Sequence, residues 1–209
     1  MMKLSMLFLY AGVLQAQPFT FGIKGGVRLT SDLDSYFATT ESKQYVVGPM
    51  LTARLPFGFR LELDALYRRV GYRTASSDVL GGFYSERDVG NAWEVPMVLR
   101  RTLWHGFYAG AGYAPRIING ARHFNSVSVT SLNPLLKSYY ESSLPGSWNT
   151  THGVIGAAGI EKRVGPLRIA PEIRYTHWNK PAVDLYGSHG FSIQSSQNQV
   201  DLMIGISFP

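Results

Sequence analysis

The chain has 209 residues, no cysteine and a formal net charge of +6 at pH 7, and its length is typical of a single domain. The lack of cysteine excludes a disulfide-stapled scaffold and a thiolate metal site. The pI near 9.6 does not predict a nucleic-acid partner, because the basic residues are mostly single, spaced at period two, and form no nucleic-acid-binding motif.

The first predicted element is a secretory signal peptide over residues 1–16. Lys3 supplies the positive charge, residues 4–14 the apolar core, and residues 14–16 a small-residue cleavage site. A buried first strand is the alternative, but this run is apolar without alternation. We therefore expect residues 17–209 to form one mature domain. No later apolar run approaches the roughly 18 residues that a membrane helix needs.

Eight segments of the mature chain alternate apolar and polar residues at period two, which predicts β-strands. They lie near residues 19–30, 45–55, 59–72, 93–100, 107–116, 154–161, 167–176 and 199–208. The third is the clearest, and the sixth is rich in glycine.

The connections between these segments alternate in length. Long polar stretches cover residues 32–44, 73–90, 119–150 and 179–197, whereas tight turns lie at residues 56–58, 104–106 and 165–166. An even number of strands with long loops on one side and short turns on the other is typical of a transmembrane β-barrel. We predict an all-β, eight-stranded, antiparallel up-and-down barrel. Ten strands are the alternative if residues 119–150 contain a hairpin.

The aromatic residues of the apolar face fall into two groups by depth. Those near the tight turns are Phe19, Phe59, Phe107 and Phe208. Those near the opposite rim are Tyr45, Tyr67, Trp93, Tyr113 and Tyr175. Two aromatic girdles around an apolar band are typical of a membrane barrel that shows its apolar face to lipid. A soluble barrel, such as a periplasmic ligand-binding barrel, would instead bury that face.

The polar face is therefore predicted to line the lumen. Its bases are Lys24, Arg28, Arg54, Arg60, Arg68, Arg100, Arg116, Arg168 and Arg174, and its acids are Glu62, Asp64, Glu94, Glu161, Glu172 and Asp201. Counting from the turns places Glu94 opposite Arg116 and Arg174 opposite Ala157. Eight strands enclose little more than side chains, and buried charges must pair or hold water. We expect an interior ion-pair network rather than an open tube.

Four prolines fall inside the predicted strands: Pro49, Pro96, Pro115 and Pro171. Each lacks the N–H that a strand donates to its neighbour. A closed barrel has no free edge at which to place them, so we expect bulges or local strain there.

Several segments resemble the small outer-membrane β-barrels, the OmpX/OmpA-like and "porin family" proteins. They are FGIKGGV (residues 21–27), LELDALY (61–67), WEVP (93–96) and PEIRYT (171–176). The resemblance implies a monomer in the outer membrane of a Gram-negative bacterium, with lipid, periplasmic chaperones and the barrel-insertion machinery as partners. That machinery reads a C-terminal alternating strand with a terminal aromatic residue; here Phe208 is penultimate and Pro209 follows. Such barrels serve as scaffolds, adhesins, pores or enzymes, so the likeness does not fix activity.

The candidate chemistry is sparse. The histidines His105, His123, His152, His177 and His189 lie in turns, loops or strand ends without metal-binding spacing, so no metal or cofactor is expected. His177 has the depth and outward parity of the histidine in lipid A deacylases, but the serine two residues later is missing. Residues 119–150 suit either a binding loop or a disordered tip.

Three functional hypotheses follow. The first is a non-enzymatic structural or interaction barrel, with no catalytic residues. The second is a narrow pore that prefers anions, since the predicted lumen has nine bases against six carboxylates. The third is a lipid-modifying enzyme using His177.

Overall fold

A computed structural model describes residues 19–33, 38–77, 82–129, 137–143, 150–182, 184–186 and 192–208. The predicted signal peptide over residues 1–16 lies outside the described residues and stays a prediction. Among the residues so described, no helix is long and apolar enough to cross a membrane.

The described chain consists of β-strands and tight turns. The strands are β1 (Phe19–Arg28), β2 (Ala38–Thr40), β3 (Tyr45–Arg54), β4 (Phe59–Asp64), β5 (Leu66–Ser77), β6 (Gly82–Glu94), β7 (Met97–Thr102), β8 (Phe107–Val129), β9 (Lys137–Ser143), β10 (Thr151–Ile160), β11 (Lys162–Val164), β12 (Leu167–Trp178), β13 (Asp184–Tyr186), β14 (Ser192–Gln194) and β15 (Asn198–Phe208). A 3-10 turn, Pro56–Gly58, separates β3 from β4.

Eight of these strands close into a ring. The order is β1, β3, β4, β7, β8, β10, β12 and β15, and β15 pairs again with β1. Every neighbouring pair is antiparallel. The predicted eight-stranded up-and-down barrel is thereby confirmed. Closure leaves the ring itself no free edge, so its backbone groups pair with neighbouring strands.

The long connections, predicted to be loops, contain β-strands, so that prediction is wrong in part. Residues 73–77 and 82–90 belong to the paired strands β5 and β6, and β8 pairs with β9 within residues 119–150. The pair β13–β14 lies within residues 179–197, and β2 pairs with β5. Strands that continue past an apolar band meet water on both faces, so period-two alternation fades although pairing continues. The β8–β9 hairpin extends an existing strand, so the ring keeps eight strands.

Three of the four prolines lie around two breaks in the ladder. One break is Ala65, between β4 and β5, and the other is Val95–Pro96, between β6 and β7. The Ala65 N–H donates to the Pro49 carbonyl, and the Val95 N–H donates to the Pro115 carbonyl, each at 3.0 Å. Pro171 lies opposite Ile204 on one side. On its other side the ladder is interrupted between the Gly159–Glu172 and Lys162–Ile169 pairs, where Glu161 separates β10 from β11. The expected irregularity therefore occurs beside all four prolines.

Two of the tight turns use left-handed backbone at two successive residues. Phe57 (φ 62°) precedes Gly58 (φ 77°), and His105 (φ 51°) precedes Gly106 (φ 85°). Turns of this kind match the right-handed twist of a hairpin.

These turns give a paired prediction. A Cβ on Gly106 would lie 2.5 Å from the Glu161 carbonyl oxygen, whereas a Cβ on Gly58 meets nothing within 4 Å. We expect Gly106→Ala to lower the free energy of unfolding by about 2–3 kcal/mol, because it adds a steric clash to left-handed strain. Gly58→Ala suffers the strain alone and should cost about 1–2 kcal/mol. Urea unfolding of both variants measures the difference, and equal costs would contradict the close approach at Gly106.

Candidate functional site: the charged lumen

The barrel buries its charges and exposes its apolar residues. Along β15, Asp201 and Met203 are buried, whereas Leu202, Ile204 and Phe208 are exposed. The apolar face is therefore the outer face. The residues predicted for the two girdles share it: Phe19, Phe107, Phe208, Tyr45, Trp93, Tyr113 and Tyr175 are exposed, and Phe59 and Tyr67 are partly exposed.

Tyrosines of the outer rim are anchored by polar groups of neighbouring strands. Tyr67 donates to Asn91 Oδ1 at 2.7 Å, and Tyr175 donates to Asn198 Oδ1 at 2.8 Å. The Tyr113 hydroxyl lies 2.6 Å from His152 Nδ1, and the two rings are stacked. A tyrosine with its ring on the apolar face and its hydroxyl in a hydrogen bond suits the boundary between an apolar and a polar medium.

The middle of the lumen holds a first ion cluster, which we call the central cluster. Its cations are Lys24, Arg100 and Arg174, and its carboxylates are Glu62, Asp64 and Glu172. Each of these six side chains is at most 6 % exposed. The charges therefore balance within a site that water barely reaches.

Arg174 holds the central cluster together. Its Nη1 lies 3.0 Å from Asp64 Oδ2, and its Nη2 lies 3.0 Å from Glu62 Oε1 and 2.8 Å from Glu172 Oε1. Lys24 Nζ contacts Glu62 and lies 3.1 Å from Glu172 Oε2. The register places Arg174 opposite Ala157, and a small residue there leaves room for the guanidinium.

Tyr108 and Arg100 complete the cluster. The Tyr108 hydroxyl donates to Glu172 Oε2 at 2.9 Å, and Arg100 lies over the Tyr108 ring, 4.8 Å from its centroid. Arg100 Nη1 is 3.0 Å from Glu62 Oε2, close enough for an ion pair although neither atom has an aligned hydrogen bond. Coulomb attraction depends on the distance between the charges and not on hydrogen-bond alignment, so this contact is an ion pair.

A second cluster, the upper cluster, lies nearer the long hairpins. Its cations are Arg28, Arg68 and Arg116, and its carboxylates are Asp32, Glu94 and Asp201. Arg68 Nη2 lies 3.0 Å from Asp201 Oδ1, and Arg116 Nη2 lies 2.9 Å from Glu94 Oε1. This cluster is also neutral, because Asp32 supplies the third carboxylate.

Gln199 organises the upper cluster without carrying charge. Its Oε1 accepts from Arg28 Nη2 and from Trp178 Nε1, both at 3.0 Å, and from Arg116 Nη2. Its Nε2 donates to Asp201 Oδ2 at 2.6 Å. The Arg116 guanidinium lies 3.6 Å from the Trp178 ring centroid, a close cation–π contact. These contacts fix the cations where bulk water would otherwise solvate them.

A cap closes the lumen above the upper cluster. Asp32 accepts from the Tyr72 hydroxyl at 3.1 Å and from the Ser42 hydroxyl, and its carbonyl accepts from the Ser196 N–H at 2.9 Å. Leu33 forms an isolated bridge with Ser195. Asp32, Leu33 and Ser195 are all buried, so this layer covers the lumen.

The mouth at the tight-turn end holds the remaining predicted charges. Glu161 pairs with Arg60, with Arg100 Nη2 at 3.3 Å and with Arg168 Nη1 at 3.9 Å. These side chains are partly exposed, apart from Arg100. All predicted lumen residues thus face inward, but they form two neutral clusters and a basic mouth rather than one uniform network.

The predicted lumen charges did not include three residues of the two clusters. Tyr108 and Gln199 are uncharged, although alternation places both on the inward face of their strands. Asp32 lies in a stretch without alternation, so no periodic signal marked it. Asp32 adds a carboxylate to the lumen, so the excess of bases on which the anion-pore hypothesis was based is smaller.

One titratable pair lies beyond the apolar band of the barrel wall, towards the long hairpins. His123 Nδ1 is 2.8 Å from Asp88 Oδ1, between the extensions of β8 and β6. Partial burial raises the pKa of the Asp88 carboxyl, and the neighbouring His123 opposes that rise. The pair joins the two extensions beyond the rim.

His177, the candidate for lipid chemistry, is hydrogen-bonded at the outer rim. His177 Nδ1 lies 2.9 Å from Asn198 Oδ1, and among the described residues no serine hydrogen-bonds to His177. Within the same part of the chain, no three His, Cys, Asp or Glu side chains are placed to hold a metal ion.

Fold and lumen together define a closed, eight-stranded antiparallel β-barrel with an apolar exterior and a charged interior. No protein-family model matches the chain, and no curated protein matches it. Among solved structures, Neisserial surface protein A is 12 % identical with a TM-score of 0.37, the match covering 91 % of this chain and 95 % of that chain.

Two further solved structures are similar at the same distant level. One is Ail, the attachment invasion locus protein of Yersinia pestis, solved with the heparin analogue sucrose octasulfate: 6 % identity, TM-score 0.35, covering 92 % of this chain and 99 % of that chain. The other is the outer membrane protease OmpT from Escherichia coli: 9 % identity, TM-score 0.33, covering 91 % of each chain. Likenesses this distant say nothing about activity.

Proposed function

We propose that this chain is an integral outer-membrane β-barrel of structural or interaction type, stabilised by its ion-paired interior. The observation that carries the proposal is the inverted distribution of residues. Ile23 and Phe208 are each 63 % exposed, while Lys24 and Glu62 are fully buried. A contiguous apolar exterior of this extent is costly in water and favourable in lipid.

The cellular setting is part of the same proposal. The expected signal peptide would export the chain, and the alternating C-terminal strand β15 would be read by the barrel-insertion machinery. We propose the outer membrane as its location because closed barrels satisfy every backbone hydrogen bond within a bilayer. Fractionation of the native host, with the protein recovered from outer-membrane vesicles, supports this location; recovery from the periplasmic fraction contradicts it.

Gel migration with and without boiling is the first test of the proposal. A barrel refolded in detergent should migrate differently before and after boiling, because the folded form remains compact in the gel. If the protein stays soluble without detergent and shows no shift, the barrel is a water-soluble one and the proposal is wrong.

The pore hypothesis makes a different prediction. Two neutral ion clusters fill the described lumen and a cap covers one end, so we expect electrically silent insertion into planar bilayers. Steady single-channel steps that depend on the protein would contradict this, and anion-selective steps would support the pore instead. Detergent alone and a heat-unfolded sample are the controls.

The enzyme hypothesis rests on His177. Because no described serine hydrogen-bonds to that ring, we expect His177→Ala to leave the lipid A profile of the native host unchanged. Mass spectra of lipid A from hosts with the wild-type chain, the variant and a deletion make the comparison. A change in acylation shared by the deletion and the variant would establish an enzymatic role.

A further inference from the structure

Arginines face one another at the tight-turn mouth of the lumen. Arg54 lies directly opposite Arg60, and Arg60 lies directly opposite Arg100 on the next strand. On the other wall, Arg163 lies opposite Arg168. Like charges placed directly opposite one another destabilise a sheet. The mouth therefore has a stronger electrostatic requirement for anions than any other part of the described lumen.

The protein meets that requirement only in part. Glu161 is the carboxylate shared by Arg60, Arg100 and Arg168. Arg168 carries the same charge as Arg54, Arg60 and Arg163 at this end of the lumen. Within the described part of the chain, Arg54 has no carboxylate partner, and its buried Nε has no hydrogen-bond acceptor.

A cleft of about 390 Å³ opens beside the unsatisfied arginine. Arg54 and Arg60 line it together with Gly58, Thr102 and the apolar residues Leu55 and Phe59. Thr52 precedes Arg54 on the same inward face; it is 4 % exposed, and its hydroxyl has no hydrogen-bond partner among the described residues. Buried donors normally have acceptors, so unpaired donors beside a basic cleft point to an anionic ligand.

We propose that this cleft binds a small oxyanion of the phosphate class at the Arg54–Arg60 pair that lines it. The planar guanidinium fork matches phosphate oxygens in pairs and retains its charge at any physiological pH. The inference does not depend on the membrane location. The phosphate group could come from free phosphate or from a lipid headgroup at the rim, and the two sources can be told apart.

Titration calorimetry of the refolded barrel in a non-ionic, phosphate-free detergent tests the site with inorganic phosphate as the probe. We expect saturable binding that Arg54→Gln weakens about tenfold. Arg101→Gln is the matched control, since Arg101 is an exposed arginine near the same end that faces outward over Phe59. Its affinity should stay within about twofold of the wild type. No saturable binding, or an equal loss in both variants, overturns the proposal.

Stability gives a second readout that misfolding cannot mimic. Without phosphate, Arg54→Gln should unfold at a urea concentration equal to or above that of the wild type, because the substitution removes like-charge repulsion. Saturating phosphate should then raise the midpoint of the wild type but not that of the variant, since a ligand stabilises only the form that binds it. A variant less stable than the wild type without phosphate, or equally stabilised by it, counts against the site.

The source of the phosphate is resolved in bilayers. Barrels in phosphatidylcholine nanodiscs, with and without phosphatidylglycerol, are titrated with inorganic phosphate. Both lipids carry a headgroup phosphate and the detergent carries none, so weaker apparent binding in the bilayers than in detergent supports occupation by headgroups, and unchanged binding supports free phosphate. Weakening of the same size in the wild type and in Arg54→Gln would not involve the arginine pair and overturns the proposal.

Discussion

Replacing Glu62 by glutamine is expected to lower the free energy of unfolding by about 3–5 kcal/mol, the cost of breaking a buried ion pair by removing one partner. Glu62 is fully buried and contacts all three cations of the central cluster, Lys24, Arg100 and Arg174. Its neutralisation leaves three buried cations with two carboxylates. Urea unfolding in lipid vesicles, followed by intrinsic fluorescence, gives the free energy.

The matched control is the same substitution at an exposed ion pair. Glu41 also contacts two arginines, Arg73 and Arg87, but these are about half exposed. Glu41→Gln should therefore cost at most about 1 kcal/mol, as surface pairs do. Equal, small effects at both sites would mean that water reaches the lumen and that burial does not strengthen the central cluster.

Charge balance can be separated from the loss of individual contacts. The double variant Lys24→Met with Glu62→Gln leaves two cations, Arg100 and Arg174, with two carboxylates, Asp64 and Glu172. We expect it to be more stable than Glu62→Gln alone, because apolar replacement of a buried pair is often close to neutral. Strictly additive losses would show that the pairwise contacts, rather than neutrality, stabilise the cluster.

Replacing Ile204 by arginine is expected to cost about 2–4 kcal/mol in a bilayer, the range for a basic residue at mid-depth on the lipid face of a barrel. Ile204 is 50 % exposed and lies on β15, midway between Phe208 at the tight-turn end and Val200 opposite the rim residue Tyr175. The measurement is unfolding from vesicles, with folding yield as a second readout.

Leu29→Arg supplies the control for depth. Leu29 is 58 % exposed and follows the end of β1, beyond the rim. The same substitution there should cost about 0–1 kcal/mol, because charge near the interface remains hydrated. If both variants lose the same free energy of unfolding, the apolar face does not lie in hydrocarbon. The membrane assignment is then wrong, independently of the structure of the lumen.

Residue patterns along the chain suffice to predict the architecture, the strand faces and the tight turns. Alternation at period two assigns each residue to a face wherever the two faces meet different surroundings, as in Leu61 and Glu62. The turn at residues 104–106 then sets the register by counting, and Glu94 lies opposite Arg116 as that count requires. The face of each residue and the register of a hairpin depend on residues that are close in sequence, so the local residue pattern is enough to predict them.

The pairing of charges across the lumen could not be predicted from the sequence, because it depends on the three-dimensional arrangement of the strands. Arg174 pairs with Asp64 from a separation of 110 residues, and Arg68 pairs with Asp201 from 133 residues away. Strand tilt and stagger set these contacts, and neither leaves a trace in the order of residues along one strand. The division into two neutral clusters and a basic mouth follows from them.

The same limit explains the loops. Where strands rise above the band, as in the β5–β6 hairpin, both faces meet the same solvent and the sequence loses its period although the backbone still pairs. Asp32 also lies in a stretch without alternation, between β1 and β2, yet it balances the charge of the upper cluster. A residue without a periodic environment acquires its role only when the chain folds, because that role is defined by neighbours that are distant in sequence.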